Sequence, residues 1–142
     1  MNYDIKRVTE YIAHHFNTAN PFRIAELLNV QVDWVNIGKY PLGKTVYDEG
    51  APIVLMNKSI EHTSKQYFVM AHELGHVVLQ EGLIGYYTTA MHGRSSLEAE
   101  ADEFSVALLG QLFIEENDRM PENWDELVHD YGFPSWNGSQ II

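Results

Sequence analysis

Residues 70–80 read MAHELGHVVLQ, an apolar segment that carries two histidines four positions apart. In an α-helix, residues four apart lie on one face, so the imidazoles of His72 and His76 are expected to share a metal ion. Glu73 is rotated by about 100° from His72 around the helix axis and is expected to flank that ion. A carboxylate in this position can deprotonate a metal-bound water. The pattern therefore predicts hydrolysis assisted by a metal, with Glu73 as general base.

The residues around this pair are apolar on nearly every side of the predicted helix: Tyr67, Phe68, Val69, Met70, Ala71, Leu74, Val77, Val78 and Leu79. They predict a buried helix, in which polar side chains without partners would be costly. A metal ion supplies such a partner. Because the sequence has no cysteine, the ligands must be imidazoles and carboxylates, and zinc is the predicted metal. Gly75 is unfavourable in a helix and predicts that another backbone packs closely at that position.

A catalytic zinc usually has three protein ligands and an open position for water, so a third ligand is expected. Residues 98–102 read EAEAD. On a helix Glu98 and Asp102 share a face, where two carboxylates repel each other unless a cation lies nearby. We expect Glu98 to bind the metal and Asp102 to accept a hydrogen bond from a ligand imidazole. Because Ser95-x-x-Glu98 also has the form of a capping box, Glu100 is the alternative ligand.

Further elements are predicted on both sides of this segment. Apolar spacing predicts a helix over Ile5 to Phe16, and Asn20-Pro21 predicts the start of a second, short helix. Strands are predicted around residues 32–37, 45–47 and 53–55, separated by turns at residues 41–43 and 49–50 and joined as antiparallel hairpins. Helices are predicted from Ser59 or Thr63 to Gln80 with Gly82 as C-cap, from Ser95 or Ser96 through Leu112, and over residues 124–129.

Together these elements predict an α+β fold. A small three-stranded sheet would pack against the helix of His72 and His76, and the helix of Glu98 would close the site. Residues 1–142 are expected to form a single metallopeptidase domain, with its core at about residues 3–112 and a tail at 113–142. A strand over residues 51–56 is expected to be exposed and to pair with an extended substrate.

The composition excludes some functions. The chain has 9 Lys plus Arg against 20 Asp plus Glu, a formal net charge of −11, which opposes direct binding to nucleic acid. The charge favours a basic partner or simply solubility. Charged side chains interrupt the first 12 residues, and no later run reaches the roughly 20 apolar residues of a membrane span. No membrane association is predicted, and the cytoplasm is the expected location.

MAHELGHVVLQ followed by EAEADEFSVALL at residues 98–109 resembles the ImmA/IrrE family of bacterial and phage metallopeptidases. NPFRIA at residues 20–25 and IVLMN at 53–57 are similar to that family's N-terminal half, so the resemblance covers about residues 3–112. It implies that His72 and His76 are zinc ligands, Glu73 the catalytic base and Glu98 the carboxylate ligand.

The resemblance also implies a substrate. Members of this family commonly cleave a helix-turn-helix repressor of a mobile element or stress regulon, and such a repressor would here be a separate chain. The sequence departs from the family at two places. Gln80 stands where a histidine is frequent, and LLGQ at residues 108–111 replaces a Leu-Leu-Met-Pro ending.

Tyr86, Tyr87 and His92 lie between the two metal-bearing helices, where any of them could donate a hydrogen bond to the tetrahedral intermediate. The rival to an enzyme is an interaction module, with a structural metal, that sequesters a basic repressor through its acidic surface. An open coordination position beside Glu73 favours the enzyme.

Overall fold

The computed structural model describes residues 4–80 and 94–135 of the chain. This part of the chain contains five α-helices, three strands and a short 3-10 helix. They are α1 (Ile5–Phe16), α2 (Pro21–Leu27), β1 (Gln31–Val35), β2 (Gly43–Asp48), β3 (Ala51–Asn57), the 3-10 helix (Lys58–Ile60), α3 (Lys65–Gln80), α4 (Arg94–Asn117) and α5 (Trp124–Tyr131). The fold belongs to the predicted α+β class. None of the helices in these two ranges combines the length and the apolar character needed to cross a lipid bilayer.

Local signals place the first two helices where the sequence predicted them. The side chain of Asn20 accepts hydrogen bonds from the backbone N–H groups of Phe22 and Arg23, and Pro21 occupies the first turn of α2. The start of α3 differs from the predicted start at Ser59 or Thr63. The Thr63 hydroxyl donates to the Ile60 carbonyl, and α3 itself begins at Lys65. Gly82, the predicted C-cap, lies outside the described residues.

The sheet has the order β1-β3-β2. Strands β2 and β3 form the predicted antiparallel hairpin, but β1 pairs with β3 in parallel, so the prediction of hairpins throughout is wrong. The reason lies in the segment over residues 36–42. Its carbonyls at Gly38 and Pro41 accept hydrogen bonds of 2.9 and 3.1 Å from the buried amide of Asn57, at the end of β3. The segment therefore crosses that end of β3 and places β2 on its far side.

This strand order also corrects the expected docking strand. Residues 51–56 belong to β3, which is hydrogen-bonded on both sides and has Val54 and Met56 fully buried. A central strand has no free backbone groups to offer a substrate. Within the described part of the sheet, the edges are β1 and β2, so the prediction of an exposed strand at residues 51–56 is wrong.

Helix α3 runs through the centre of the fold, between the sheet and α4. Its residues Met70, Ala71 and Leu74 are fully buried. A Cβ placed on Gly75 would lie 3.1 Å from three atoms of the Phe104 side chain on α4. The glycine thus permits the close approach that the sequence suggested, although the neighbour is a side chain and not a backbone. The approach brings the two helices that carry the predicted ligands together.

We expect a matched pair of glycine substitutions to report on this helix contact. A Cβ placed on Gly110, also in a helix, would meet no neighbour within 4 Å, so Gly110→Ala should stabilise the fold by about 1 kcal/mol through helix propensity. Gly75→Ala gains the same propensity but crowds Phe104, at a cost of about 1–3 kcal/mol for overpacking. Urea unfolding of both variants measures the difference. Equal stabilisation by the two substitutions would contradict the tight contact.

Candidate metal centre

Three side chains that the sequence singled out converge between α3 and α4. The Nε2 atoms of His72 and His76 are 3.2 Å apart. Oε1 of Glu98 lies 2.9 Å from Nε2 of His72, and Oε2 of the same carboxylate lies 3.2 Å from Nε2 of His76. A tetrahedral zinc site with bonds of about 2.0–2.1 Å separates its ligand atoms by about 3.3 Å. The three side chains are therefore positioned to bind a metal ion, with shifts of a few tenths of an ångström.

The Nδ1 atoms of His72 and His76 also have hydrogen-bond partners. Asp102 accepts a hydrogen bond of 2.7 Å from Nδ1 of His72, which is the contact expected of that carboxylate. Nδ1 of His76 contacts Oε1 of Gln80, at the end of α3. With these acceptors at Nδ1, each neutral ring can leave its Nε2 unprotonated and able to bind a metal ion.

The chemistry of this donor set fits a cation. When the Nδ1 protons are donated outward and the rings are neutral, His72 and His76 direct two lone pairs toward each other and toward the carboxylate of Glu98. Three electron-rich groups at such short distances repel each other unless positive charge lies between them. In residues 4–80 and 94–135, this is the one group of His, Asp and Glu side chains with the geometry to hold a metal ion.

The electrostatics of the site show the same need for positive charge. Burial lowers the pKa of His72, but the hydrogen bond to Asp102 and the negative charge of Glu73 outweigh it, so the pKa is raised. Burial raises the pKa of Asp102 as well. His72 and Asp102 thus bind protons more readily than the same groups do in water. A metal ion would replace those protons as the compensating charge.

Glu73 lies beside the three converging side chains, between α3 and β2. It is 6% exposed, and the hydroxyl of Thr45 on β2 donates a hydrogen bond of 2.7 Å to its Oε1. Burial raises the pKa of Glu73, although the charge of His72 in its protonated form and the hydrogen bond from Thr45 oppose this shift. The carboxyl group is thus held in one orientation, and its environment makes it more basic than an exposed glutamate.

Strand β2 approaches Glu73 closely because it has a glycine there. A Cβ on Gly43 would lie 2.5 Å from Cγ1 of Val69 and 3.2 Å from Cγ of Glu73. Sequence reasoning missed both Gly43 and Thr45. A glycine near a predicted strand and a threonine within it are ordinary residues, and no pattern in the sequence connects them to a helix that follows 20 positions later.

The structure also separates the two candidates for the third ligand. Glu98 joins the two histidines, whereas Glu100 lies with its Oε1 3.5 Å from the amide nitrogen of Gln80 and outside the group. The candidates for an oxyanion donor, Tyr86, Tyr87 and His92, lie outside the described residues.

Two comparisons with known proteins give matches that include the residues of this site. The family model Peptidase_M78, described as the IrrE N-terminal-like domain, matches residues 25–133, which include all the side chains of the site. The chain is also 28% identical over 110 residues to "Uncharacterized immunity region protein 2" of Bacillus phage phi105, an alignment that covers 74% of this chain and 67% of that protein. No solved structure matches the chain significantly.

Proposed function

The chain belongs to the ImmA/IrrE family, and from that premise we propose that it is a zinc-dependent endopeptidase acting on a transcriptional repressor. The observation that carries the proposal is the joint geometry of the site. Two imidazoles and a carboxylate converge within 4.8 Å, and a buried Glu73 is oriented beside them by Thr45. A structural metal site would have no use for such a carboxylate.

The donor set supports zinc as the metal. Two histidines and one glutamate are a frequent ligand set of catalytic zinc, and three protein ligands leave one position for water. When bound, zinc lowers the pKa of a coordinated water toward about 7 and polarises the carbonyl of the scissile bond. Asp102 supports the site by orienting the His72 ring and increasing its basicity.

Glu73 performs the proton transfers in this proposal. Because Thr45 donates to its Oε1, the carboxylate of Glu73 is held in place to accept a proton from the attacking water. The same carboxyl group then delivers that proton to the leaving amide nitrogen. The raised pKa of Glu73 suits both steps, because general acid–base catalysis is most effective when the pKa lies near the working pH.

The proposed substrate is a helix-turn-helix repressor encoded near this gene on a prophage or other mobile element. The name of the phage phi105 relative refers to an immunity region, which supports this context. The net charge of −11 suits association with a basic DNA-binding protein. The substrate would meet the enzyme as a separate chain.

Incubation of the purified chain with the neighbouring repressor tests this function. We expect discrete repressor fragments that disappear when a chelator is added and return when zinc is restored. An intact repressor in the presence of bound zinc would argue against the proposed substrate. Relief of repression by stoichiometric binding, without fragments, would favour the sequestering module.

Thr45→Val is expected to lower kcat about 10-fold or more, because a hydrogen bond to a charged group contributes about 1.5–3 kcal/mol. Valine has nearly the same shape but leaves Oε1 of Glu73 without its donor. Zinc affinity should stay unchanged, since Thr45 touches no ligand, and Thr45→Ser should restore most of the rate. Cleavage assays under single-turnover conditions measure the effect.

Thr9 offers the matched control, because it is a fully buried threonine on α1 that donates to the Lys6 carbonyl. Thr9→Val should affect stability and leave kcat alone. If both valine variants lowered kcat equally, the role of Thr45 in orienting Glu73 would be wrong.

A further inference from the structure

Gln80 is the last residue of α3 and lies one helical turn beyond His76. Its side chain is 9% exposed and makes contacts in two directions. Oε1 contacts Nδ1 of His76, and Nε2 donates a hydrogen bond of 2.9 Å to the backbone carbonyl of Leu97 on α4. The amide thus spans the gap between the two helices that form the metal centre.

The contact with Leu97 determines which way the amide of Gln80 faces. A backbone carbonyl can only accept, so the NH₂ group must point to Leu97 and the oxygen to His76. That oxygen can also only accept, so Nδ1 of His76 must carry the proton. Nε2 of His76 is then unprotonated in the neutral ring and free to bind a metal.

The hydrogen bond from Gln80 to Leu97 also affects Glu98, the proposed third ligand. Leu97 precedes Glu98, whose side chain is 47% exposed and is therefore held only weakly by packing. The hydrogen bond from Gln80 to the Leu97 carbonyl fixes the backbone beside this glutamate relative to α3. It thereby fixes the distance between a ligand on one helix and two ligands on the other.

We propose that Gln80 is a positioning residue of the metal centre, which selects the metal-binding tautomer of His76 and sets the position of Glu98. The inference rests on the proposed zinc site but not on peptidase activity. Outer groups that orient ligands in this way typically contribute about 10–100-fold to metal affinity. Asp102 provides the corresponding acceptor for His72. Gln80 differs from Asp102 because it also donates a hydrogen bond to a backbone carbonyl of α4.

Gln80→Met is the first test, because methionine keeps the length of the side chain and removes its hydrogen bonds to His76, Leu97 and Glu100. We expect zinc to bind about 10–100-fold more weakly, as measured by competition with a chromophoric chelator. In the metal-free protein, at a pH at which the His76 ring is neutral, long-range ¹H–¹⁵N spectra should show the Nδ1–H tautomer of His76 in the wild type and a mixture of tautomers in the variant. A merely structural role of Gln80 would not change the tautomer.

Gln111→Met is the matched control, because Gln111 also lies on a helix and donates to Thr9 at 2.8 Å, away from the metal centre. This variant should bind zinc like the wild type. Equal weakening of zinc binding in the two methionine variants would overturn the inference, as would an unchanged affinity in Gln80→Met.

Gln80→Glu separates the two contacts. A carboxylate still accepts from His76 but cannot donate to Leu97, so the wild-type tautomer should return while zinc affinity stays below that of the wild type. Full recovery of affinity would overturn the part of the inference that concerns Glu98. A wild-type chain that binds no zinc would overturn the proposed function as well, whereas tight wild-type binding with no effect of Gln80→Met would overturn this inference alone.

Discussion

Replacing Glu73 with glutamine is expected to reduce repressor cleavage by about 10²–10⁴-fold or more, the contribution of a general base. Glutamine has nearly the shape of glutamate, and its amide oxygen can still accept the hydrogen bond from Thr45. It cannot take a proton from the attacking water. Zinc content should remain at one ion per chain, because Glu73 is not among the three converging ligand side chains. Cleavage assays and metal analysis on the same preparation measure both effects.

The stability of this variant provides the control. Burial raises the pKa of Glu73, so the folded state disfavours its negative charge. A neutral side chain removes that penalty, and Glu73→Gln should be at least as stable as the wild type near neutral pH. Loss of cleavage therefore cannot be attributed to unfolding. Relief of repression by Glu73→Gln as efficient as by the wild type would mean that sequestration, and not hydrolysis, is the function.

The part of the site that lies within one helix could be predicted from the sequence. The spacing of His72 and His76 determines that both rings lie on the same face of α3, whatever surrounds the helix. Their Nε2 atoms lie 3.2 Å apart, as that spacing requires for a shared ion. The apolar residues between and around them likewise predicted the burial of α3, and its residues Met70 and Leu74 are fully buried.

For the ligand on α4, the sequence offered two candidates, Glu98 and its alternative Glu100. Both lie in the first turns of α4, and which one faces His72 depends on how α4 is rotated against α3. That rotation is determined by packing, including the contact of Phe104 with Gly75, which no local pattern reveals. The shared face of Glu98 and Asp102 did narrow the choice, and both carboxylates contact His72.

In the sheet, too, one feature depends on local sequence and another depends on contacts between distant residues. The positive φ angles of Glu49 and Gly50, at 53° and 86°, belong to the tight turn that joins β2 and β3, and the sequence placed that turn correctly. The parallel pairing of β1 with β3 depends instead on the buried Asn57, which binds carbonyls of the segment over residues 36–42. These contacts join residues 19 and 16 positions apart, and no periodic pattern in the sequence predicts them.

His76→Ala is expected to abolish stoichiometric zinc binding, with a loss of affinity greater than the 10–100-fold expected for an outer group such as Gln80. The substitution removes one of three ligands and leaves two, which is fewer than catalytic zinc sites use. For the wild type, zinc at about 100 times its Kd should stabilise the fold by about 2.7 kcal/mol, whereas the variant should show no shift. Thermal unfolding with and without zinc measures this difference.

His129 supplies the control for this substitution. It lies on α5 with its side chain 89% exposed, paired with the carboxylate of Asp130, and outside the metal centre. His129→Ala removes one imidazole from the chain, as His76→Ala does, but should leave zinc content and the zinc-dependent stabilisation unchanged. If zinc stabilised His76→Ala as strongly as His129→Ala, the ion would bind elsewhere, and the assignment of His72, His76 and Glu98 as its ligands would be wrong.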